Sequence, residues 1–509
     1  MDKQLKKALL LTGTAALFVR LIYGVLFAAT PLAAFNTLPG LDMATLLEFS
    51  QWDNASPRSL PMFVLHRFLL FFTYLSAGKT HNFLLIYLVQ SLFGITASMF
   101  AAWGVWQLSK SFRATLIAGI IYALYGPFLL YESVALQESI LTHTLIIGFA
   151  IWMNFVDKRS TICGVISGII LGLNSSGRPA TAFLAAAMAI YPLWVHRKEK
   201  FSVANLSFLF SLAAVWFTAT LFNGYFRQTY NPFFNVMPHL TEVHAPQSAT
   251  ESSNIIISYF KVFFAAVKNV PYHFGMREIP ENLDYDVIRK ILPILFFGPL
   301  LVMPFAVAGI ISMALLKRKE LISCYIATLF LALPLAARIP IGRYRLLLMP
   351  FFIIFAALFI EELIKNKDKR LALIGIFIGV IGTNLCLASP LVRPNPAAHH
   401  TLALASMRTK ANPLPHLEEA WKTSNYTYKP SGLMLVIHHM KTKNFEQAEN
   451  TIKQNRTNAP EFFYYHALIK TAKNQPKEAI KLLQKIENPK DLNSLYPKYI
   501  KLYKFLTSL

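Results

Sequence analysis

The stretch ICGVISGIILGLNSSGRPATAFLAAAMAIYPLW, residues 162–194, decides the fold. As a single helix it would be about 50 Å long, whereas the hydrocarbon core of a bilayer is about 30 Å thick. Its one charged residue, Arg178, is followed directly by Pro179. Because proline does not continue a helix and a charge is costly at membrane depth, the pair predicts a turn between two short spans at a membrane face.

Nine further apolar runs occur along the chain, and with the two halves of this stretch they predict eleven membrane-spanning helices. They lie at about residues 8–29, 83–108, 114–130, 140–156, 201–222, 291–316, 321–336, 346–364 and 371–388. The first run is longer than the apolar part of a signal peptide, so an uncleaved span with a cytoplasmic N-terminus is favoured over a cleaved one. Only 15% of the residues are charged, against about 25% in soluble domains.

The basic residues determine the orientation of these spans. They fall in every second short loop, near residues 110–113, 158–159, 197–200, 317–319 and 365–370. The positive-inside rule places such loops in the cytoplasm, which agrees with a cytoplasmic N-terminus and puts the C-terminus outside. This topology accounts for the net charge of +23. No compact basic and aromatic motif is present, so nucleic acid is excluded as a partner.

The apolar segment Leu60–Ala77 does not fit this topology as a span, because counting it would move every basic loop to the outside. We therefore predict a helix that lies in the outer interface, with His66 and Arg67 facing lipid headgroups. Arg20, inside the first span, is expected near its outer end, where it faces a cavity or snorkels to the headgroups.

The composition changes at about residue 391. Residues 391–509 contain 18 Lys/Arg and 8 Asp/Glu, and the pattern NFEQA of residues 444–448 returns as QPKEA 31 residues later. This offset is close to the period of about 34 of tetratricopeptide helical hairpins, although a generic helical tail is the alternative. We predict an all-α fold, with a polytopic membrane bundle at residues 1–390 and a small soluble helical domain at residues 391–509.

Carboxylates gather on the outer side of the predicted topology. Asp42 follows the first span, where it suits either a general base or a helix N-cap. Glu132 and Glu138 border a short outer segment before the fourth span. Each either orients an acceptor or a divalent ion, or only complements a helix dipole.

Arginines accompany these carboxylates at the outer helix ends. Arg343 and Arg345 flank Tyr344 before the tenth span, and Arg178 stands between the fifth and sixth. A guanidinium offers phosphate a bidentate donor fork, so these residues predict a binding site for a lipid phosphate. Ordinary anchoring to headgroups is the alternative for each of them.

Several functional classes lack their motifs in this sequence. There is no G-x-x-x-x-G-K-[ST], no H-E-x-x-H and no G-x-S-x-G, which argues against a nucleotide-driven pump, a zincin and a serine hydrolase. Cys163, Cys324 and Cys386 lie in apolar runs without metal-type spacing. We therefore expect them to pack in the bundle rather than to form a disulfide framework.

The motifs together resemble the bacterial GT-C superfamily, the integral-membrane glycosyltransferases similar to protein O-mannosyltransferases. Asp42 lies in the first outer loop, where that family has its catalytic aspartate. YALYGPFLLYE at residues 122–132 with Glu138, the Gly-rich span ending in Arg178-Pro179, and GRYRL at residues 342–346 resemble further signatures of the family. The loop at residues 277–282 resembles a motif of the subgroup that carries tetratricopeptide repeats, although its Glu278 also suits a solvated loop charge.

This resemblance implies an inverting transfer of a sugar from a polyprenyl-phosphate carrier to a protein, lipid or glycan acceptor at the outer face of a bacterial inner membrane. Asp42 is then the catalytic base. No cofactor is required, and a divalent metal ion is left open. The implied phosphate-binding residues are Arg178, Arg343 and Arg345, and the residues implied to orient the acceptor or a metal are Glu132, Glu138 and Glu278.

Two other classes of function stay open at this point. One is a non-catalytic scaffold that uses the helical repeats of the C-terminal domain to assemble an envelope complex. The other is a lipid or solute transporter, which would be expected to show repeated halves with broken helices at matching positions. The sequence shows no such internal symmetry.

Overall fold

The computed structural model of the chain describes residues 2–38, 41, 43, 46–47, 64–76, 83–198, 201–227, 269–274, 284–336, 342–365, 370–387 and 395–508. Within these ranges every regular element is a helix and no strand occurs. The chain divides into two compact units. The first comprises Met1–Ile279 and Ile288–Val392, and the second comprises Pro280–Val287 and Arg393–Leu509.

Fifteen α-helices are described up to residue 387. In chain order they are α1 (Lys3–Ala28), α2 (Val64–Ser76), α3 (Phe83–Ser109), α4 (Phe112–Leu124), α5 (Gly126–Glu132), α6 (Gln137–Lys158), α7 (Thr161–Gly177), α8 (Pro179–Val195), α9 (Val203–Arg227), α10 (Tyr285–Ile291), α11 (Pro299–Leu315), α12 (Ile322–Ala336), α13 (Gly342–Arg345), α14 (Met349–Lys365) and α15 (Arg370–Leu387). Short 3-10 helices occur at Pro31–Thr37, Val270–Phe274, Pro293–Phe296 and Lys319–Leu321.

Six helical segments of the described chain are long and apolar enough to cross a membrane, and a seventh arises if α4 and α5, bent by 47°, form one span. The lengths and composition of these helices are therefore compatible with a multi-pass membrane protein. The other four predicted runs coincide with α7, α8, α14 and α15, which contain 17 or 18 residues each. Such helices are only about 26 Å long, so the count of eleven spans stays a prediction.

The break at Arg178 confirms the turn that the sequence predicts. Helix α7 ends at Gly177, Arg178 is extended with φ −147° and ψ 134°, and α8 begins at Pro179. Helix α7 packs closely along α9, because a Cβ on Gly172 would lie 2.7 Å from the carbonyl oxygen of Leu212. Small residues at such an interface allow two membrane helices to approach at backbone distance.

Helix α6 lies at the centre of the first unit. It packs against α3 and α7, and most of its side chains are buried. Helix α1 packs against α3 and α4, and α14 packs against α4 and α11. The large side chains of Leu10, Val25 and Phe210 are exposed on the outside of the bundle, where a bilayer would cover them.

Helix α2 has the opposite orientation from the one predicted. His66 and Arg67 are buried, whereas Phe68, Phe72 and Leu75 are exposed. The prediction that His66 and Arg67 face lipid headgroups is therefore wrong. The reason is tertiary packing, because α2 contacts α3, α6 and α7, and a helix at an apolar boundary turns its polar side toward protein.

The second unit contains three successive helical hairpins and a final helix. They are α16 (Pro396–Arg408) with α17 (Leu414–Thr423), α18 (Lys429–Lys441) with α19 (Phe445–Gln454), α20 (Pro460–Ala472) with α21 (Pro476–Gln484), and then α22 (Tyr496–Ser508). Buried side chains that include Trp421, Leu435 and Phe462 form one core across α16 to α20, and a second core joins α20, α21 and α22. The assignment of these hairpins to the tetratricopeptide type stays a prediction.

The turns inside the three hairpins have the same backbone conformation. Lys410, Lys443 and Asn474 follow the first helix of each hairpin with φ of 59°, 58° and 58°, and the same pattern of backbone hydrogen bonds closes each turn. These left-handed residues are spaced 33 and 31 positions apart, as their numbers show. The structure thus contains three similar units, whereas the sequence pattern disclosed only the last two.

Candidate functional site

A buried ion pair joins α1 to the end of α5. Arg20 Nε donates to Glu132 Oε2 at 2.8 Å, and Arg20 Nη2 donates to Glu132 Oε1 at 2.6 Å. His143 Nε2 lies 2.9 Å from the same Oε1, and its Nδ1 lies 2.9 Å from the hydroxyl of Tyr122. Arg20 is only 2% exposed, so it neither snorkels nor faces an open cavity.

Burial makes this pair decisive for the structure. Removing two charges from water costs several kcal/mol per ion, and only close pairing with further hydrogen bonds offsets that cost. Both oxygens of Glu132 accept hydrogen bonds from Arg20, and one of them also faces His143. The Glu132 carboxylate is therefore occupied within the bundle, and this arrangement favours a positioning role over direct contact with an acceptor.

The turn between α5 and α6 is fixed from two sides. The backbone N–H of Ala135 donates to Asn36 Oδ1 at 2.7 Å, and Asn36 Nδ2 donates to the carbonyl of Ser133 at 3.2 Å. Gln90 Nε2 donates to the carbonyl of Val134 at 2.8 Å. The bonds of Asn36 connect the segment after α1 to the turn that precedes α6. Asn36 lies six residues before Asp42, the predicted base.

Glu138 occupies the first turn of α6 and is buried. Its Oε1 accepts a hydrogen bond from Arg178 Nη2 and forms an ion pair with it. Among the described residues, Glu138 Oε2 and Arg178 Nε are buried atoms that have no hydrogen-bond partner. Because an unsatisfied buried polar atom is costly, this pair retains a capacity to bind that Glu132 does not have.

Arg178 also meets the predicted phosphate-binding segment. The guanidinium carbon of Arg178 lies 5.0 Å from the ring centroid of Tyr344, and that of Arg343 lies 5.2 Å from the same centroid. Both distances are within the range of a cation–π contact. The structure therefore brings Arg178, Arg343 and Glu138 together, although long stretches of sequence separate them. Arg345, in the same helix α13, is buried.

Two buried histidines join this region, and the sequence analysis assigned neither to it. Burial lowers the pKa of His66 from 6.5 to about 4, although the Glu138 carboxylate opposes the shift. Burial and the charge of Arg345 lower the pKa of His273 to about 3. Neither ring has a hydrogen-bond partner among the described residues. Both are neutral near pH 7. The sequence analysis missed these histidines because their burial results from tertiary packing, which no local sequence motif indicates.

Two of the predicted site residues, Asp42 and Glu278, lie outside the described residues. Within the described ranges no group of three His, Cys, Asp or Glu side chains is arranged to hold a metal ion. Chemically, the described groups offer two guanidinium forks suited to an anion, and one carboxylate oxygen suited to a hydroxyl or amine donor.

No model of a protein family fits the sequence, and no curated protein matches it significantly. The function is therefore inferred from the residues and their geometry.

Replacing Arg20 by Met should lower the free energy of unfolding by about 3–5 kcal/mol, because Glu132 would then be buried without its counter-charge. The double variant Arg20→Met with Glu132→Leu should recover a large part of that loss, since it removes both charges. The thermal midpoint of the purified protein in detergent measures this, with Arg113→Met at an exposed position as control. Equal midpoints for Arg20→Met and Arg113→Met would contradict the assigned role.

The buried neutral His66 should make stability depend on acid. Its folded pKa lies below the unfolded value, so stability falls as pH drops from 6.5 towards 4, where the unfolded chain binds the proton and the folded chain does not. Over this pH range the free energy of unfolding should fall by about 3 kcal/mol. Thermal midpoints of wild type and His66→Gln between these pH values measure it. The variant should lose less stability in acid than wild type, and parallel curves would contradict the assignment.

Proposed function

We propose that this multi-pass membrane protein is a glycosyltransferase, which moves a sugar from a polyprenyl-phosphate carrier to an acceptor outside the cytoplasm. The observation that carries the proposal is the meeting of Arg178 and Arg343 at the ring of Tyr344, with Glu138 bound to Arg178. This arrangement places two anion-binding groups beside a carboxylate. Such a pairing suits a reaction in which a phosphate leaves and a hydroxyl or amine arrives.

The arginines would bind the phosphate of the carrier. Each guanidinium can donate two parallel hydrogen bonds to phosphate oxygens, and the ring of Tyr344 restricts where Arg178 and Arg343 point. Arg345, buried in the same short helix, would add positive potential. Fixed cations of this kind stabilise the negative charge that develops on the phosphate oxygen as the sugar leaves.

The transfer would proceed by displacement at the anomeric carbon. Asp42 takes the proton from the acceptor, whose oxygen or nitrogen attacks that carbon as its bond to the phosphate oxygen breaks. The lipid phosphate leaves with the bonding electrons, and the configuration at the carbon inverts. Asp42 is assigned this role by its position in the first outer loop, six residues after Asn36, whose side chain is bound to the turn before Glu138.

Of the two glutamates with this predicted role, Glu138 suits contact with the acceptor better. Its Oε2 has no partner among the described residues, whereas both oxygens of Glu132 are engaged. Glu138 would accept a hydrogen bond from the acceptor and orient it towards Asp42. Glu278 is retained as a further acceptor-orienting residue on its motif alone.

The proposed location is a bacterial inner membrane, with the N-terminus in the cytoplasm and the C-terminal unit in the periplasm. The surplus of basic over acidic residues in the C-terminal unit suits an acidic acceptor or anionic headgroups. A non-catalytic scaffold is the second candidate. The three stacked hairpins favour it, because such arrays commonly provide binding surfaces for proteins.

Loss of the proposed base should abolish transfer while leaving the protein in the membrane. In cells that lack the gene and carry a plasmid copy, Asp42→Asn should reduce the affected envelope glycan by about 10²–10⁴-fold, the usual contribution of a general base. Asp53→Asn, in the same outer segment, is the matched control and should retain the glycan. Mass spectrometry of envelope glycans provides the measurement, and immunoblotting of membranes shows insertion.

The arginines give a second arm to this experiment. Arg343→Lys keeps the charge but loses the bidentate fork, so the glycan should fall well below the level of the Asp53→Asn control. If the glycans are the same with the gene, without it and with Asp42→Asn, while the protein inserts normally, the enzyme proposal fails. The scaffold proposal would then be the better explanation of the chain.

A further inference from the structure

The end of the bundle away from the candidate site contains a cavity of about 460 Å³. Helices α1, α3 and α6 line it at the ends that carry Asp2, Lys110, Asp157 and Lys158. Asp157 lies nineteen residues along α6 from Glu138, which corresponds to about 29 Å along the helix axis. The cavity is thus separate from the site proposed for sugar transfer.

The wall of the cavity changes from charged to apolar with depth. On α1 the lining runs from Asp2 to Leu9, and on the α3 side it runs from Lys110 to Phe100 and Met99. At 1.5 Å per residue the apolar end lies roughly 10–16 Å from the charged rim. The charged residues of α1, α3 and α6 all lie at the same end of the cavity, so the change from a charged to an apolar lining runs along its depth. Such a lining suits an amphiphile that enters with its tail first.

The rim of the cavity contains charged side chains of both signs that could bind a ligand. Lys110, Asp157 and Lys158 are exposed, and none of them forms an ion pair with another described residue. Asp2 caps α1 through one oxygen, Oδ1, which accepts from the backbone N–H of Gln4 and Leu5. Two ammonium groups and two carboxylates therefore surround one opening.

Tryptophans occupy the level between the charged rim and the apolar depth. Trp103 and Trp106 both line the cavity. Tryptophan is enriched where membrane proteins meet the headgroup layer, because its ring is apolar and its N–H is polar. Gln107 Nε2 donates to the carbonyl of Ala150 at 3.0 Å and so connects α3 to α6. The charged side chains of the rim are the groups that could bind a ligand.

We propose that this cavity binds one phospholipid whose headgroup carries both a phosphate and a primary amine. Lys110 and Lys158 bind the phosphate, and Asp157 with the second oxygen of Asp2 binds the ammonium group. The upper part of an acyl chain packs against Leu9, Met99 and Phe100. By the predicted topology this lipid belongs to the cytoplasmic leaflet. The proposal does not depend on the proposed glycosyl transfer.

Native mass spectrometry of the full chain in mild detergent tests the occupant. Added dioleoyl phosphatidylethanolamine should be retained as one molecule per chain, about tenfold more tightly than dioleoyl phosphatidylglycerol, which lacks the amine. Leu9→Trp fills the cavity and should reduce retention about tenfold. Leu10→Trp is the matched control, because Leu10 is 69% exposed and does not line the cavity.

Substitutions of charged residues at the rim test the site without changing the packing of the bundle. Lys110→Gln with Lys158→Gln should weaken retention of phosphatidylethanolamine about tenfold, whereas Arg113→Gln, which does not line the cavity, should leave it unchanged. Equal retention by Leu9→Trp and Leu10→Trp would overturn the site. Equal retention of phosphatidylethanolamine and phosphatidylglycerol by wild type would overturn the assignment of the headgroup.

Discussion

The buried pair of Arg20 and Glu132 is the interaction on which the rest of the first unit depends. It joins the first helix to the helix that leads into α6, across 112 positions of sequence. In a low-dielectric interior such a pair is stable only with close geometry and additional hydrogen bonds, and His143 contributes to these. The pair also restricts the residue at position 94 to glycine, because a Cβ on Gly94 would collide with both charged groups.

The polar groups of this end divide into a satisfied set and an unsatisfied set. In the satisfied set, Arg20 and Glu132 meet each other's hydrogen-bonding needs, and Asn36 secures the turn that follows. In the unsatisfied set, Glu138 and Arg178 each keep a buried polar atom without a partner in the described part of the chain. The proposed active site would require such a combination, because preorganisation needs fixed supporting residues and groups with open binding capacity.

Features set by local chemistry were predictable from the sequence, and features set by packing were not. The turn at Arg178 follows from a proline and a charge within an apolar run, so it was predicted correctly. The orientation of α2 depends on its neighbours, which is why the prediction for His66 was wrong. The first C-terminal hairpin lacks the motif shared by the other two, and its similarity is visible only in the turn at Lys410.

The central claim is that the proposed base and the phosphate-binding arginines share one face of the membrane. Labelling of single cysteines, in a background without the three natural ones, tests this with a membrane-impermeant maleimide. Asp42→Cys and Arg343→Cys should react in intact spheroplasts, whereas Lys158→Cys should react only after the membrane is opened. Reaction of Asp42→Cys and Arg343→Cys from opposite sides would contradict the account, because no single site could then contain both residues.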